Sequence, residues 1–491
     1  MNLDKNIDII ISKIDDAFGH SSEIVKRNII IGKRNIAYIY LESVSNDDKI
    51  SNFFMKDVSS YVKEKKLIFT SLINSLKNSI PNSHLSTVKT YDEIYYYLAS
   101  GYTAIFIDGE NSSIVIETKS KLDRGVVESS SEAVIRGPKD SFTENNSTNL
   151  GLIRKRIKDP NLWFDETIVG RRTKTKVTIA YIKDIADTKR VNEIKKILEQ
   201  IDVDGILDSG YIREFILKTN KSSFPQFKST ERPDLACSSL LDGKIIILIE
   251  NSPFVLITPS LLIDYLQSPE DNYQKSINTN FTRILRFIAF ILTVVTPAFY
   301  ISVTTFNQQM IPNELLISLS LAREGVPFPT AFEIILLIIT FEILRESDIR
   351  TPNAMGAAIS IVGALVLGDA AVSAGIISPI VVIVVAITAI SGLLYTDIDF
   401  VNATRFWRMI FILASTVAGL IGFVIAGIIF ITKLCSLEIG GVPYLAPISP
   451  FYIKDQLTLV FRRSRNHIKY RPKFLAKKNI KRLGGESWNI N

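Results

Sequence analysis

The sequence is poor in the residues that build compact chemical centres. It holds two cysteines, Cys237 and Cys435, far apart in 491 residues, which excludes a disulfide framework and a Cys-x-x-Cys metal spacing. Three histidines, His20, His84 and His467, are scattered, leaving a zinc site little to build from. No GxxxxGK loop, no GxGxxG after a strand, no HExxH and no GxSxG turn occurs, so no enzyme, cofactor or metal centre is read from the chain. The N-terminus, MNLDKNIDIIISKIDDAF, lacks the unbroken apolar core of a signal peptide, and residues 1–283 are expected to stay in the cytoplasm. Acidic residues are missing from Gln456 to Gly485, a stretch with ten Lys and Arg. Such a run suits nucleic acid. Placed directly after apolar segments, it better suits setting topology and meeting anionic lipid, so a lipid bilayer and no nucleic acid is the expected partner.

What the chain does have is an uneven spread of charge. The formal net charge is +7, but residues 1–283 carry most of the charged groups, while 284–450 are dominated by Ile, Val, Leu, Ala, Gly and Phe. The step lies close to Arg286. In a chain too long for one ordinary domain, it predicts an α/β soluble N-terminal region of two subdomains followed by an all-α polytopic membrane domain. The expected bounds are 1–130, 131–283, 284–450 and a basic cytoplasmic tail at 451–491.

Phe287–Thr305 runs 19 residues without a charge, long enough to cross roughly 30 Å of hydrocarbon. Arg283 and Arg286 assign its start to the cytoplasm. Thr351–Tyr395 has one charge, Asp369, in 45 residues, and Pro379 divides it into a hairpin of 356–376 and 379–395. Met409–Thr432 reads as a further crossing of 24 residues. Only eight residues separate Glu333 from Glu342, too few to span, so 332–344 is expected to be re-entrant, interfacial or buried. Four crossings keep head and tail on one side and put Arg405 and Arg408 in an outer loop.

Residues 356–376 are rich in Gly, Ala and Ser, which let helices approach closely. Asp369 among them is costly in lipid and must face protein or water. Two readings stay open: tight packing within one chain, or copies of this helix lining an aqueous path at a subunit interface. In the second, the face with Ile361, Ala364, Leu365 and Gly368, with Asp369 beside it, lines a pore closed by dewetting.

In the first 283 residues, strand-like runs recur at Asn35–Leu41, Ala104–Asp108, Ser113–Glu117, Val177–Ile182, Ile245–Glu250 and Phe254–Thr258, with an amphipathic helix at Asp187–Ile201. Alternating strands and helices argue for α/β packing, divided within the polar stretch Lys119–Asn149. Arg136–Asp140 reads as a turn, and Arg154, Lys155 and Arg156 as a solvated helix face.

Pro312 can open a helix, Gly325 can end it, and Pro327 and Pro329 around Phe328 fix an extended connector into the apolar helix Glu333–Leu344. This helix, rigid elbow and helix is either a hinge that transmits tilt or a static interfacial hairpin. Glu342 and Arg345, three apart, can pair on one face, while Glu333 points elsewhere and needs its own partner. Glu333, Glu342 or Arg345 is expected to pair with another helix or subunit and to stabilise a closed state.

Several stretches resemble the A-subunit family of spore germinant receptors, the GerA type. They are Pro297-Ala298-Phe299-Tyr300, Asn307-Gln308-Gln309-Met310-Ile311-Pro312, Arg323-Glu324-Gly325-Val326-Pro327-Phe328-Pro329, Phe341-Glu342-Ile343-Leu344-Arg345-Glu346 and Ser360–Gly368. Upstream, Arg136-Gly137-Pro138, Phe142-Thr143-Glu144-Asn145, Asp204–Leu207, Thr230–Asp234 and Gln267–Asp271 also look like that family. The resemblance implies a subunit of a spore inner-membrane complex that senses nutrients and starts germination. It would work with a transporter-like B subunit and a lipoprotein C subunit, as a homo-oligomer that releases monovalent cations; analogy with ring-forming channels favours a pentamer. The SpoVA-operon F protein, an amplifier built alike, belongs to the same family, and the residues do not separate the two roles. A secondary transporter is disfavoured because no repeated pair of interrupted helices occurs. A membrane-anchored scaffold without a pore stays open.

Overall fold

The computed structural model describes residues 2–31, 34–52, 85–120, 132, 134–217, 222–350 and 368–482. They form two compact units. One comprises Met1–Lys221, Phe227–Pro259 and Arg465–Asn491; the other comprises Ser222–Gln226 and Ser260–Ser464.

The first unit contains two five-stranded sheets. In one, β1 (Ile24–Ile31), β2 (Arg34–Leu41), β3 (Leu85–Val88), β4 (Tyr102–Ile107) and β5 (Ser113–Glu117) take the order β1-β2-β4-β5-β3. In the other, β6 (Leu162–Val169), β7 (Thr175–Ile182), β8 (Lys228–Thr230), β9 (Ile245–Ile249) and β10 (Val255–Thr258) take the order β6-β7-β9-β10-β8. The two orders are the same, and every ladder between described strands is antiparallel.

The helices repeat as well. Helix α1 (Ile7–Ala17) precedes the first sheet and α2 (Tyr91–Ala99) its fourth strand. Helix α3 (Asn146–Arg156) precedes the second sheet; after α4 (Thr188–Glu199) and α5 (Ser209–Ile216), α6 (Pro233–Leu241) precedes its fourth strand. The unit is one α–β arrangement built twice. Local chemistry sets the helix starts. Asn6 and Asn145 accept backbone N–H groups at the heads of α1 and α3, Thr90 and Glu93 form a capping box on α2, and Pro233 opens α6.

Burial on both faces explains the unbroken apolar run of β9. Ile246 and Leu248 enter the core with Ile153 of α3 and Leu240 of α6, while Ile245, Ile247 and Ile249 enter the core with Ile194 and Leu198 of α4. Each such side chain contributes about 1.5–3 kcal/mol on leaving water.

Arg154 corrects the expectation of a solvated face. It is fully buried because α3 lies between the two halves of the duplicate. Its guanidinium pairs with Glu23 at 2.5 Å, donates to the carbonyls of Asp159 and Leu162 at 2.8 Å, and lies over the rings of Phe18 and Phe164. Beside it, Trp163 Nε1 donates to Ala17 O at 3.0 Å. The Trp163 ring covers Gly19, where a Cβ would fall 2.0 Å from Cδ2.

The C-terminal segment also differs from expectation. Residues 465–482 run back over the second sheet's helices, with Leu475 and Ala476 buried. Arg471 Nε donates to Leu241 O at 2.7 Å, Lys477 pairs with Asp187 at 2.6 Å, and Arg482 pairs with Asp242 at 2.9 Å. These three basic residues, expected to meet anionic lipid, are held by protein oxygens instead, because carboxylates and carbonyls at the ends of α4 and α6 face them.

The second unit is helical: α7 (Ser276–Ile301), α8 (Asn313–Leu321), α9 (Thr330–Arg350), α10 (Pro379–Gly392) and α11 (Ile398–Ser436). Among the described residues, two stretches, Ser276–Phe306 and Ile398–Ser436, are long and apolar enough to cross a membrane. The second is not straight. Gly419 sits at φ 57°, ψ −136°, and the rings of Trp407 and Phe430 lie 5.0 Å apart, whereas a straight helix would separate them by about 35 Å. The expected single crossing over Met409–Thr432 is therefore a hairpin of two arms, 398–418 and 420–436. Glycine permits the turn because a Cβ at Gly419 would meet the Phe306 ring at 2.7 Å and one at Gly422 would strike Ala414 O at 2.0 Å.

The contacts fix the directions of α7 and of the two arms of α11 within this unit. At one end, Tyr395 donates to Arg286 O at 2.6 Å, and Phe400 packs on Tyr265, Phe290 and Tyr395. At the other end, Phe306 meets Gly419. Helix α7 and the first arm of α11 run from the Phe400 end to the Phe306 end, and the second arm returns. Both chain ends of the bundle thus emerge at the Phe400 end. There Asp271 pairs with Arg283 at 2.9 Å and Arg286 at 3.0 Å, and Arg462 Nη2 donates to Asn272 O at 2.9 Å.

Candidate functional site

Besides the Asp271 pairs at the Phe400 end, two charged clusters among the described residues of the helical unit centre on α9. Near its start, Glu333 is completely buried. Its Oε2 accepts from the backbone N–H of Ser378 at 2.7 Å, and its Oε1 stands 3.7 Å from Arg323 Nη2. Ser378 is the N-cap residue of α10 and makes no side-chain cap, so the carboxylate serves as the cap and faces the positive end of the helix dipole. One turn before Glu333 lies the elbow, where Gly325 takes φ 85° and the Phe328 ring packs 4.8 Å from Phe332 between Pro327 and Pro329.

The second site lies further along α9. Glu342 receives Arg408 at 2.5 Å and Arg405 at 2.8 Å, both from the first arm of α11. This corrects two expectations. Arg405 and Arg408 are helical and face the bundle rather than forming an outer loop, because a carboxylate on a neighbouring helix compensates them where lipid could not. Glu342 is turned to α11, so its within-helix pairing with Arg345 is replaced by contact with the helix it packs on. The carboxylate and arginines also explain how α9 continues as one helix of 21 residues, although its uncharged stretch is short.

Of the expected pore residues, Ile361, Ala364 and Leu365 lie outside the described residues. Gly368 is half-buried, with its Cα facing Val382 of α10, and Asp369 is exposed. Sequence reasoning missed Arg323 and Ser378. An arginine just before Gly-x-Pro and a serine just before Pro379 were signals of polar helix ends, but neither shows which carboxylate it meets.

A sequence model of the family described as "Bacillus/Clostridium GerA spore germination protein" matches residues 12–474. The chain belongs to the GerA family. Among curated relatives it is similar to Spore germination protein KA of Bacillus subtilis (strain 168), with 37% identity over 95% of this chain and 86% of that one. It is also similar to Stage V sporulation protein AF of the same organism, with 30% identity over 94% and 93% of the two chains. Among solved structures it is similar to the N-terminal domain of the A subunit of the Bacillus megaterium spore germinant receptor GerK3. That match has 31% identity over 53% of this chain and 98% of that one, with a TM-score of 0.42. The match across residues 12–474 of this GerA-family chain takes in both units, so the charged sites on α9 lie inside the family's own span.

Proposed function

We propose that this chain acts in spore germination as the A subunit of a germinant receptor in the spore inner membrane. In this reading the helical unit lies in the bilayer, with both its chain ends on the cytoplasmic face. Large apolar side chains directed outward from the helices support it, among them Ile339, Ile383, Ile387, Val417, Ile421 and Ile428, an apolar surface suited to lipid or to other helices. Copies of the chain associate, a pentamer being favoured, alongside a transporter-like B subunit and a lipoprotein C subunit. The segment with Ile361, Ala364, Leu365, Gly368 and Asp369 lines a path for monovalent cations.

One observation carries the ion path. Asp369 is exposed and is the one charged residue in the stretch Thr351–Tyr395, and in a bilayer such a group needs water or protein in front of it. The test is cation efflux from liposomes holding the purified chain, with oligomer size counted in images of detergent-solubilised particles. Leu365→Ala is expected to raise the leak and Asp369→Asn to change its cation preference. Intact oligomers that pass no ions, with either variant, reject the pore and leave an anchored scaffold. The similarity to Stage V sporulation protein AF favours a second reading, in which the chain amplifies ion release rather than initiating it. Spores lacking only this chain would then respond to nutrient but release ions slowly.

A further inference from the structure

A cavity of about 230 Å³ opens beside the elbow, between the end of α7 and α8. It is lined by the apolar Ile311, Leu316 and Leu319 and by the polar Thr304, Gln308, Ser320 and Arg323. The neutral donors are already engaged with the backbone. Thr304 Oγ1 donates to Tyr300 O at 2.7 Å, Ser320 Oγ to Leu316 O at 2.9 Å, and Gln308 Nε2 to Thr304 O at 2.9 Å.

Arg323 is different. Among the described residues its guanidinium makes no hydrogen bond. Its Nε is buried without an acceptor, and its approach to Glu333 at 3.7 Å is too long for one. A planar fork of five N–H donors thus borders a cavity with room for an acceptor. Across the pair, Glu333 Oε1 is likewise buried without a hydrogen-bond partner. A half-satisfied polar cluster of this kind is costly unless something completes it.

We propose that this cavity binds a small oxyanion, a carboxylate or a phosphate, held by Arg323 with its short apolar portion against Ile311, Leu316 and Leu319. The fork matches two oxyanion oxygens at once. The volume lies below the range of drug-sized sites, about 300–1,000 Å³, which restricts the occupant to a short acid or a headgroup. Occupancy draws Arg323 away from Glu333, so the site also acts on the cap of α10 and on the elbow. Binding does not depend on whether the chain conducts ions.

The full chain in phosphatidylcholine nanodiscs, titrated with sodium propionate or inorganic phosphate against chloride at equal ionic strength, tests this through the unfolding temperature. A second arm uses nanodiscs containing phosphatidylglycerol. A saturable rise in the first arm identifies a soluble oxyanion, and a rise only in the second identifies a lipid headgroup. In either case Arg323→Gln should weaken binding at least tenfold. Ser320→Phe should block the mouth without touching the guanidinium, and Glu333→Gln should tighten binding several-fold by removing the competing carboxylate. Should Arg323→Gln not fold, the other two variants decide. No saturable effect in either arm, or equal effects in wild type, Ser320→Phe and Glu333→Gln, overturns the site.

Discussion

Glu342 and Arg408 meet at 2.5 Å across 66 residues of chain, joining α9 to the first arm of α11. Arg405 adds a second contact to the same carboxylate, so one acid compensates two bases on a neighbouring helix. Glu342→Gln leaves both arginines facing a neutral group. A loss of about 3–5 kcal/mol is expected, typical of stranding a buried charge, and would be read as lower yield and unfolding temperature of the purified chain. Reversing Glu342 to Arg together with Arg408 to Glu should recover part of that loss, and simple additivity of the two defects would discount the pairing.

The folding back of α11 makes a geometric prediction. With the native cysteines replaced, Trp407→Cys combined with Phe430→Cys should be joined within one chain by a short bifunctional thiol crosslinker, since the two rings lie 5.0 Å apart. A straight helix would hold these positions about 35 Å apart and allow none. Gly419→Ala should abolish the crosslink or the folded protein, because both the positive φ and the Phe306 ring oppose a side chain.

In the first unit, Arg154→Ala leaves Glu23 buried without its cation. The expected cost is again about 3–5 kcal/mol, measured as a lower denaturation midpoint of the full chain. Lys155→Ala, one residue on and away from Glu23, serves as the control and should change little. Equal effects of the two would mean that the buried pair contributes no more than a surface residue.

The strap at 465–482 has a pH signature. Burial tends to raise the Asp187 carboxyl, but the Lys477 ammonium, the Lys189 backbone N–H and Arg190 outweigh it and hold the group below the ordinary value of 3.8. A depressed acid contributes stability above its unfolded value and loses it as pH falls through the folded one. Hydrogen exchange of the amides around Lys477 should therefore stay slow from neutrality down to 3.8 and rise below it. Asp187→Asn should exchange faster throughout, and a transition near neutral pH would assign the docking to other groups.

How much of this was legible depended on what each residue faces. The apolar run Ile245–Ile249 announces β9, because a strand covered on both sides has no polar alternation to hide it. Strand β6 was not read, since Asp165 and Glu166 interrupt Leu162–Val169; the structure engages them with Lys195 and Lys176. Arg154 looked solvated because it stands in a basic triplet, and its partner Glu23 is 131 residues away. The hairpin at Gly419 was hidden because Met409–Thr432 is uncharged on both sides of that glycine. The elbow was readable, since proline and glycine act through their own backbone. The partners of Glu333 and Glu342 were not, since they come from distant segments.

The α–β body of this protein is not a continuous piece of sequence. Its last stretch arrives only after the helices have been made, and supplies Leu475 and Ala476 to an interior otherwise built from residues before Ser260. A fragment ending at the first apolar helix would therefore have an unfilled groove over α6. During synthesis, the second half of the body must wait for the whole helical segment before it can close.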